Sequence, residues 1–240
     1  MWRGWTVLRH DGVRVRRDSV LLNLLGMTLA MLTTVLALRV TEAFREWWLP
    51  IQLVVLVGSM PGFGYLAGML MIDEFDAGVD RALAVTPLSP WTTVALRASA
   101  AWLAATVFAL VMILGGRLVI LTPEQWWGPL MILTLTTPWI AILVPALASN
   151  KVRALGLFKG LNLFVAVGLV DLFLPRSAWY ANLTLLTPST WAIRALQASA
   201  EGVPSWGWAC GGLLYSTGLL LAAALLFRRA RLSSGAMATV

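Results

Sequence analysis

Long apolar runs separated by short polar joints dominate this chain, and six of them reach the ~20 residues that a helix needs to cross a bilayer. The pattern predicts spanning helices over Val20–Leu38, Trp47–Ile72, Trp91–Ile120, Trp127–Leu147, Leu157–Leu174 and Trp206–Phe227. The second and third runs are longer than a simple span, so they tilt or continue as helix beyond the lipid. Tryptophan pairs mark three outer boundaries: Trp47 and Trp48, Trp126 and Trp127, and Trp206 and Trp208. Such a belt sits where amphipathic rings meet the headgroups. Before the first span, Trp2–Asp18 is basic with interspersed apolar residues, the pattern of an interfacial helix that Gly12 weakens. Between spans five and six, Pro175–Ser205 holds Ser177–Leu186 and then Thr187-Pro188-Ser189-Thr190, where Thr187 or Ser189 can cap a helix that Gly202 stops. One or two short outer helices are expected there.

Composition agrees with the pattern. Hydrophobic residues make up 59% of the 240 and charged residues 12%, with a mean hydropathy of +0.81. A soluble domain would carry about a quarter charged residues. The expected class is an all-α integral membrane protein, one transmembrane domain over residues 1–240. The net charge of +7 comes from basic residues at the ends of apolar runs, where they face headgroups and not nucleic acid. Arginine and lysine concentrate in the N-terminal arm (Arg3, Arg9, Arg14, Arg16, Arg17), the fourth-to-fifth connection (Lys151, Arg153, Lys159) and the C-terminal tail (Arg228, Arg229, Arg231). These three share one side of a six-span topology, so the positive-inside rule puts both termini in the cytoplasm. No cleavable signal peptide is expected, because the first apolar run is too long for one. Only two of the basic residues are lysines, which fits a GC-rich bacterial genome.

Several chemistries are not expected. His10 is the one histidine and Cys210 the one cysteine, so the common zinc spacings are missing. No G-x-x-x-x-G-K-[ST] loop occurs; GLFKG at 156–160 lacks both the spacing and the hydroxyl residue. Asp73, Glu74, Asp76 and Asp80 lack the EF-hand pattern. No catalytic, cofactor or metal site is therefore expected in this chain. Within the membrane, Asp171 either lines a polar pathway or reaches the outer interface and pairs with Arg176. Arg97 and Arg117 read as anchors that snorkel to opposite interfaces. Pro61, Gly64 and Gly68 in the second span suit a bending helix, a subunit interface or ordinary bundle packing.

The longest polar interruption is Asp73–Pro90, DEFDAGVDRALAVTPLSP. Topology makes it cytoplasmic, and its mix of acids and apolar residues suits docking better than catalysis. Thr86-Pro87 and Ser89-Pro90 each stop a helix. An acidic segment ending the second span, followed by T-P-L-S leading into the third, resembles the ABC type-2 exporter permeases. The matching residues are Glu74, Asp76 and Gly78, then Leu83, Val85, Thr86, Pro87, Leu88 and Ser89, with Val79 where the family usually has threonine. Arg97 corresponds to the family's basic residue after T-P-L-S, residues 1–18 to its elbow helix and residues 175–205 to its extracytoplasmic helices. The resemblance implies a bacterial inner-membrane permease subunit exporting an amphipathic or hydrophobic drug, lipid, glycan or peptide. It implies two separate ATPase chains that hold ATP and magnesium, and a second permease subunit, with spans two and five lining the path between subunits. The coupling helix would present Phe75, Val79, Leu83 and Val85 to the ATPase, with Glu74, Asp76 and Asp80 facing water. A haem-export-type permease of cytochrome c maturation, a membrane scaffold or immunity protein, and a secondary transporter are the rival readings.

Overall fold

The computed structural model describes residues 9, 11–13, 16, 19–76, 90–118, 122–175 and 179–233. Among these the fold is all α-helix and 3-10 helix, with six segments long and apolar enough to span a membrane. Span one is Ser19–Thr41, span two Trp48–Asp76 and span three Pro90–Gly116. Span four is two helices, Pro123–Thr134 and Thr136–Leu147. Span five is Lys151–Val167 with a 3-10 turn over Gly168–Leu172, and span six is Trp206–Ser233. A 3-10 segment, Trp179–Leu186, and an outer helix, Pro188–Ala200, lie between spans five and six.

Local chemistry accounts for the boundaries that moved. Span five starts at Lys151, six residues before the apolar run, because the Asn150 side chain caps it by accepting from the Arg153 backbone N–H at 2.9 Å. Lys151, Arg153 and Lys159 thus belong to a helix and not to a connection. Span three ends at Gly116, before Ile120, where Arg117 takes a left-handed φ of 43°. Span four breaks at Leu135. Pro138 in the next turn has no N–H to offer the Thr134 carbonyl, so the ladder is interrupted there. The outer helix stops at a Schellman turn: Gly202 has φ +71°, its N–H bonds Ser199 O, and Val203 N–H bonds Ala198 O at 2.8 Å. Thr187 holds the N-cap position, but its hydroxyl donates to Thr184 O and caps nothing.

Spans two and four form the centre of the bundle, and the other four surround them. Span one is apolar on every face and leaves Leu22, Leu25, Met27, Leu29 and Val40 exposed, as a helix bathed in lipid does. Span two lies against the second half of span four through Gly64 and Gly68. A Cβ on Gly64 would sit 2.4 Å from the Thr137 carbonyl oxygen and 3.0 Å from Ile140 Cβ. A Cβ on Gly68 would meet Val144 Cβ at 2.9 Å. The same contact seats Thr137 Oγ1 on Met60 O at 3.1 Å, next to Pro61. The Gly64/Gly68 spacing of span two therefore serves packing inside one subunit.

Gly64→Ala is expected to cost about 1–3 kcal/mol, the usual price of overpacking a tight contact. Gly218→Ala, where a Cβ meets nothing within 4 Å, is the matched control and should be neutral. Thermal melting of the detergent-purified variants reads the difference; equal melting temperatures would refute the close-approach argument.

Candidate coupling site

The end of the bundle that carries the N-terminal arm also carries an ion cluster. Arg97 lies in the second turn of span three and is 3% exposed. A buried guanidinium needs anionic partners, and this one has two. Nε and Nη2 each donate to Asp11 at 2.8 Å. Nη1 and Nη2 donate to Glu74 at 2.6 and 2.7 Å. Both contacts are bidentate, which the planar fork of arginine allows and a lysine ammonium does not. Asp11 comes from the arm, whose residues 11–13 are helical, and Glu74 from the last turn of span two. Beside them Lys151 Nζ, at the first turn of span five, lies 2.9 Å from Asp73 Oδ1. Five charged residues thus tie together the arm and spans two, three and five.

This geometry revises two expectations. Glu74 does not face water; its side chain is only 13% exposed and grips Arg97. Arg97 is not a snorkelling anchor but the hub of the cluster. The helix of span two runs through Phe75 to Asp76, and the next helix begins at Pro90. The side chains of Phe75 and Asp76, and Gly78, Val79, Leu83, Val85, Thr86 and Pro87 entirely, lie outside the described residues. The 77–89 connection therefore joins a helix end two residues past Glu74 to a helix start about two turns before Arg97.

Asp11 escaped the sequence reading because no local pattern marks it. Its signal is indirect: it is one of two acids in a basic arm, and Arg97 is a full charge inside an apolar run that must find a carboxylate.

Asp171 sits at the opposite end, 5% exposed, and its partner is Arg194. Arg194 Nη2 and Nε donate to the carboxylate at 2.8 and 3.1 Å, and the Thr184 hydroxyl donates at 2.8 Å. Arg194 also donates to Ala181 O at 2.7 Å and lies over the Trp208 ring at 5.1 Å. Arg176 is outside the described residues. The pair welds the end of span five to the outer segments and to span six, so Asp171 is a fastener here and not an open lining group. Pro61, Gly64 and Gly68, suited above to a bending helix, a subunit interface or bundle packing, are all buried, the two glycines against span four.

With this geometry in place, similarity to known proteins narrows the reading. The family model described as fluoroquinolones export permease protein Rv2686c-like matches residues 11–225, a stretch that begins at Asp11. Two named relatives, both from Mycobacterium tuberculosis, align over 186 residues at 27% identity. They are the fluoroquinolones export permease proteins MT2760 of strain CDC 1551 / Oshkosh and Rv2686c of strain ATCC 25618 / H37Rv. Each alignment covers 74% of this chain and 69% of the relative.

Proposed function

This chain belongs to the Rv2686c-like fluoroquinolones export permease family, and on that premise we propose that it is the membrane subunit of an ATP-driven exporter whose ATPase is a separate chain. The observation that carries the reading is the Asp11–Arg97–Glu74 cluster. It clamps both roots of the 77–89 connection to the arm. A force that reaches Glu74 or Arg97 passes into spans two and three and into the arm. Phe75, Asp76, Gly78, Val79, Leu83, Val85, Thr86 and Pro87 form the surface where the ATPase docks. These 240 residues hold no phosphate-binding loop, which is in keeping with ATP and magnesium held by a separate ATPase.

The arm, the start of span five and the tail concentrate the basic residues on one side, which supports cytoplasmic termini in a bacterial inner membrane. A second permease subunit fits against span five, whose Gly156 and Gly160 face open space and whose Val152 and Leu163 are exposed. Span two is mostly buried within its own subunit, so span five contributes more of that contact than span two. The cargo in this reading is an amphipathic aromatic molecule of the kind named for the relatives.

Co-expression with the neighbouring genes, followed by affinity purification, tests the proposal. A P-loop ATPase is expected to co-purify. Leu83→Asp is expected to reduce its recovery about tenfold or more, the equivalent of one buried leucine's ~1.5–3 kcal/mol. Recovery of no such ATPase, with export unchanged by Leu83→Asp, would sink the reading.

A further inference from the structure

At the end of the bundle opposite the ion cluster, the turn between spans one and two and the end of span three border a half-open cavity of about 820 Å³. That is the size of a drug-binding pocket. Its floor is apolar, with Leu110, Ile113 and Leu114 of span three and Leu130 of span four. Its rim is cationic: Arg39 ends span one, Arg45 precedes span two and Arg117 follows span three. One rim carboxylate, Glu42, is taken by Arg45 at 2.7 Å. Arg39 donates only to the Gly115 carbonyl at 2.5 Å, and no carboxylate partners Arg39 or Arg117 among the described residues. Three tryptophans complete the wall, and Arg45 already lies 5.6 Å over the Trp48 ring.

A second observation falls on the same place. Among the described residues three non-glycines have positive φ: Glu42 at 53°, Phe44 at 55° and Arg117 at 43°. Glu42 and Arg117 line the cavity, and Phe44 lies between Glu42 and Arg45. Left-handed backbone is unfavourable for residues with a Cβ, and where it persists it tends to mark functional sites. Here it holds the Arg117 side chain on the rim, a position for which glycine would have been the relaxed choice.

We propose that this cavity is a binding site for an amphipathic aromatic anion, with its carboxylate or phosphate on Arg39 and Arg117 and its flat body between the tryptophans and the leucine floor. The guanidiniums recognise the anion through charge-assisted hydrogen bonds, and the rings and leucines take the apolar face. The occupant is exported cargo poised for release. A membrane lipid with an anionic headgroup carries the same chemistry, and the experiment separates the two. The cargo assignment rests on the export reading above; the existence of the site does not.

The purified full chain, without any ATPase, is reconstituted in nanodiscs of phosphatidylcholine. Binding of a fluorescent fluoroquinolone with a free carboxylate is followed by anisotropy, beside its methyl ester. The ester is expected to bind at least ~10-fold more weakly, the loss of one charge-assisted hydrogen bond. Arg117→Gly is the decisive variant, because it relaxes the backbone while removing the guanidinium. It is expected to melt at or above the parent temperature and still lose at least ~10-fold in affinity. Retention of phosphatidylglycerol that depends on Arg117, with no fluoroquinolone binding, keeps the site and assigns it to lipid. Binding of probe and lipid indifferent to both esterification and Arg117→Gly overturns the proposal. Intact binding with no export in cells would instead count against the export reading.

Discussion

Arg97→Gln is expected to give a chain that inserts poorly and exports nothing. The substitution leaves Asp11 and Glu74, both mostly buried, facing each other without the cation that holds them. Removing one partner of a buried ion pair costs about 3–5 kcal/mol, because the remaining charge is stranded. Whole domains are stable by only ~5–15 kcal/mol, so this one change consumes a large share. Arg97→Lys is expected to fall between, since a single ammonium cannot make two bidentate contacts. The triple variant Arg97→Gln, Asp11→Asn, Glu74→Gln removes the three charges of the Arg97 triad together and is expected to recover most of the melting temperature. It is not expected to recover export, because neutral amides do not bind the arm to spans two and three as tightly. Melting and cellular export measured on the same three variants check this. If the triple variant exports at the parental rate, the cluster is a packing device and carries no coupling.

Arg194→Ala is expected to be nearly as damaging, at the other end. It strands the Asp171 carboxylate, removes the bond to Ala181 O and vacates the face of Trp208. A loss of about 3–5 kcal/mol corresponds to roughly 10 °C in a chain of this length. The effect should be local as well as global. The outer helix Pro188–Ala200 meets span five through Arg194 and through Ser189, whose hydroxyl donates to Val165 O at 2.5 Å. With Arg194 gone, backbone amides over 179–200 should exchange faster than those of span two. Replacing both residues, Asp171→Leu with Arg194→Leu, should cost less than either single change, since no charge is left unpaired. A double variant as damaged as the sum of the singles would mean that the two residues act independently.

How much of this was legible depends on the range over which each feature is determined. The six spans follow from hydropathy summed over neighbouring residues, a local property, and they emerge at nearly the expected positions. The outer helix and its stop at Gly202 are legible for the same reason. Span five shifted because a single cap, Asn150, outweighed the charge of Lys151 and Arg153. Most of the coupling motif lies outside the described residues, and Glu74, expected to face water, is held by Arg97 instead. A carboxylate at a helix end reads as solvated unless a distant arginine is known to wait beside it.

Two of the chain's four G-x-x-x-G spacings make the limit plain. Gly64 and Gly68 are crowded against span four, whereas Gly156 and Gly160 look onto open space. Identical spacing served an internal contact in one helix and an exposed face in the other. Nothing within either helix distinguishes them, because the difference lies in what packs opposite. The same holds for charge. Residues 11 and 97 are 86 apart, and residues 171 and 194 are 23 apart. By itself the sequence determined that this is a six-span helical membrane protein with one long polar connection, since burial in lipid is settled residue by residue. Only the tertiary structure decided which buried charges meet, which glycines are filled and where a cavity opens, since those depend on helices that touch across the bundle.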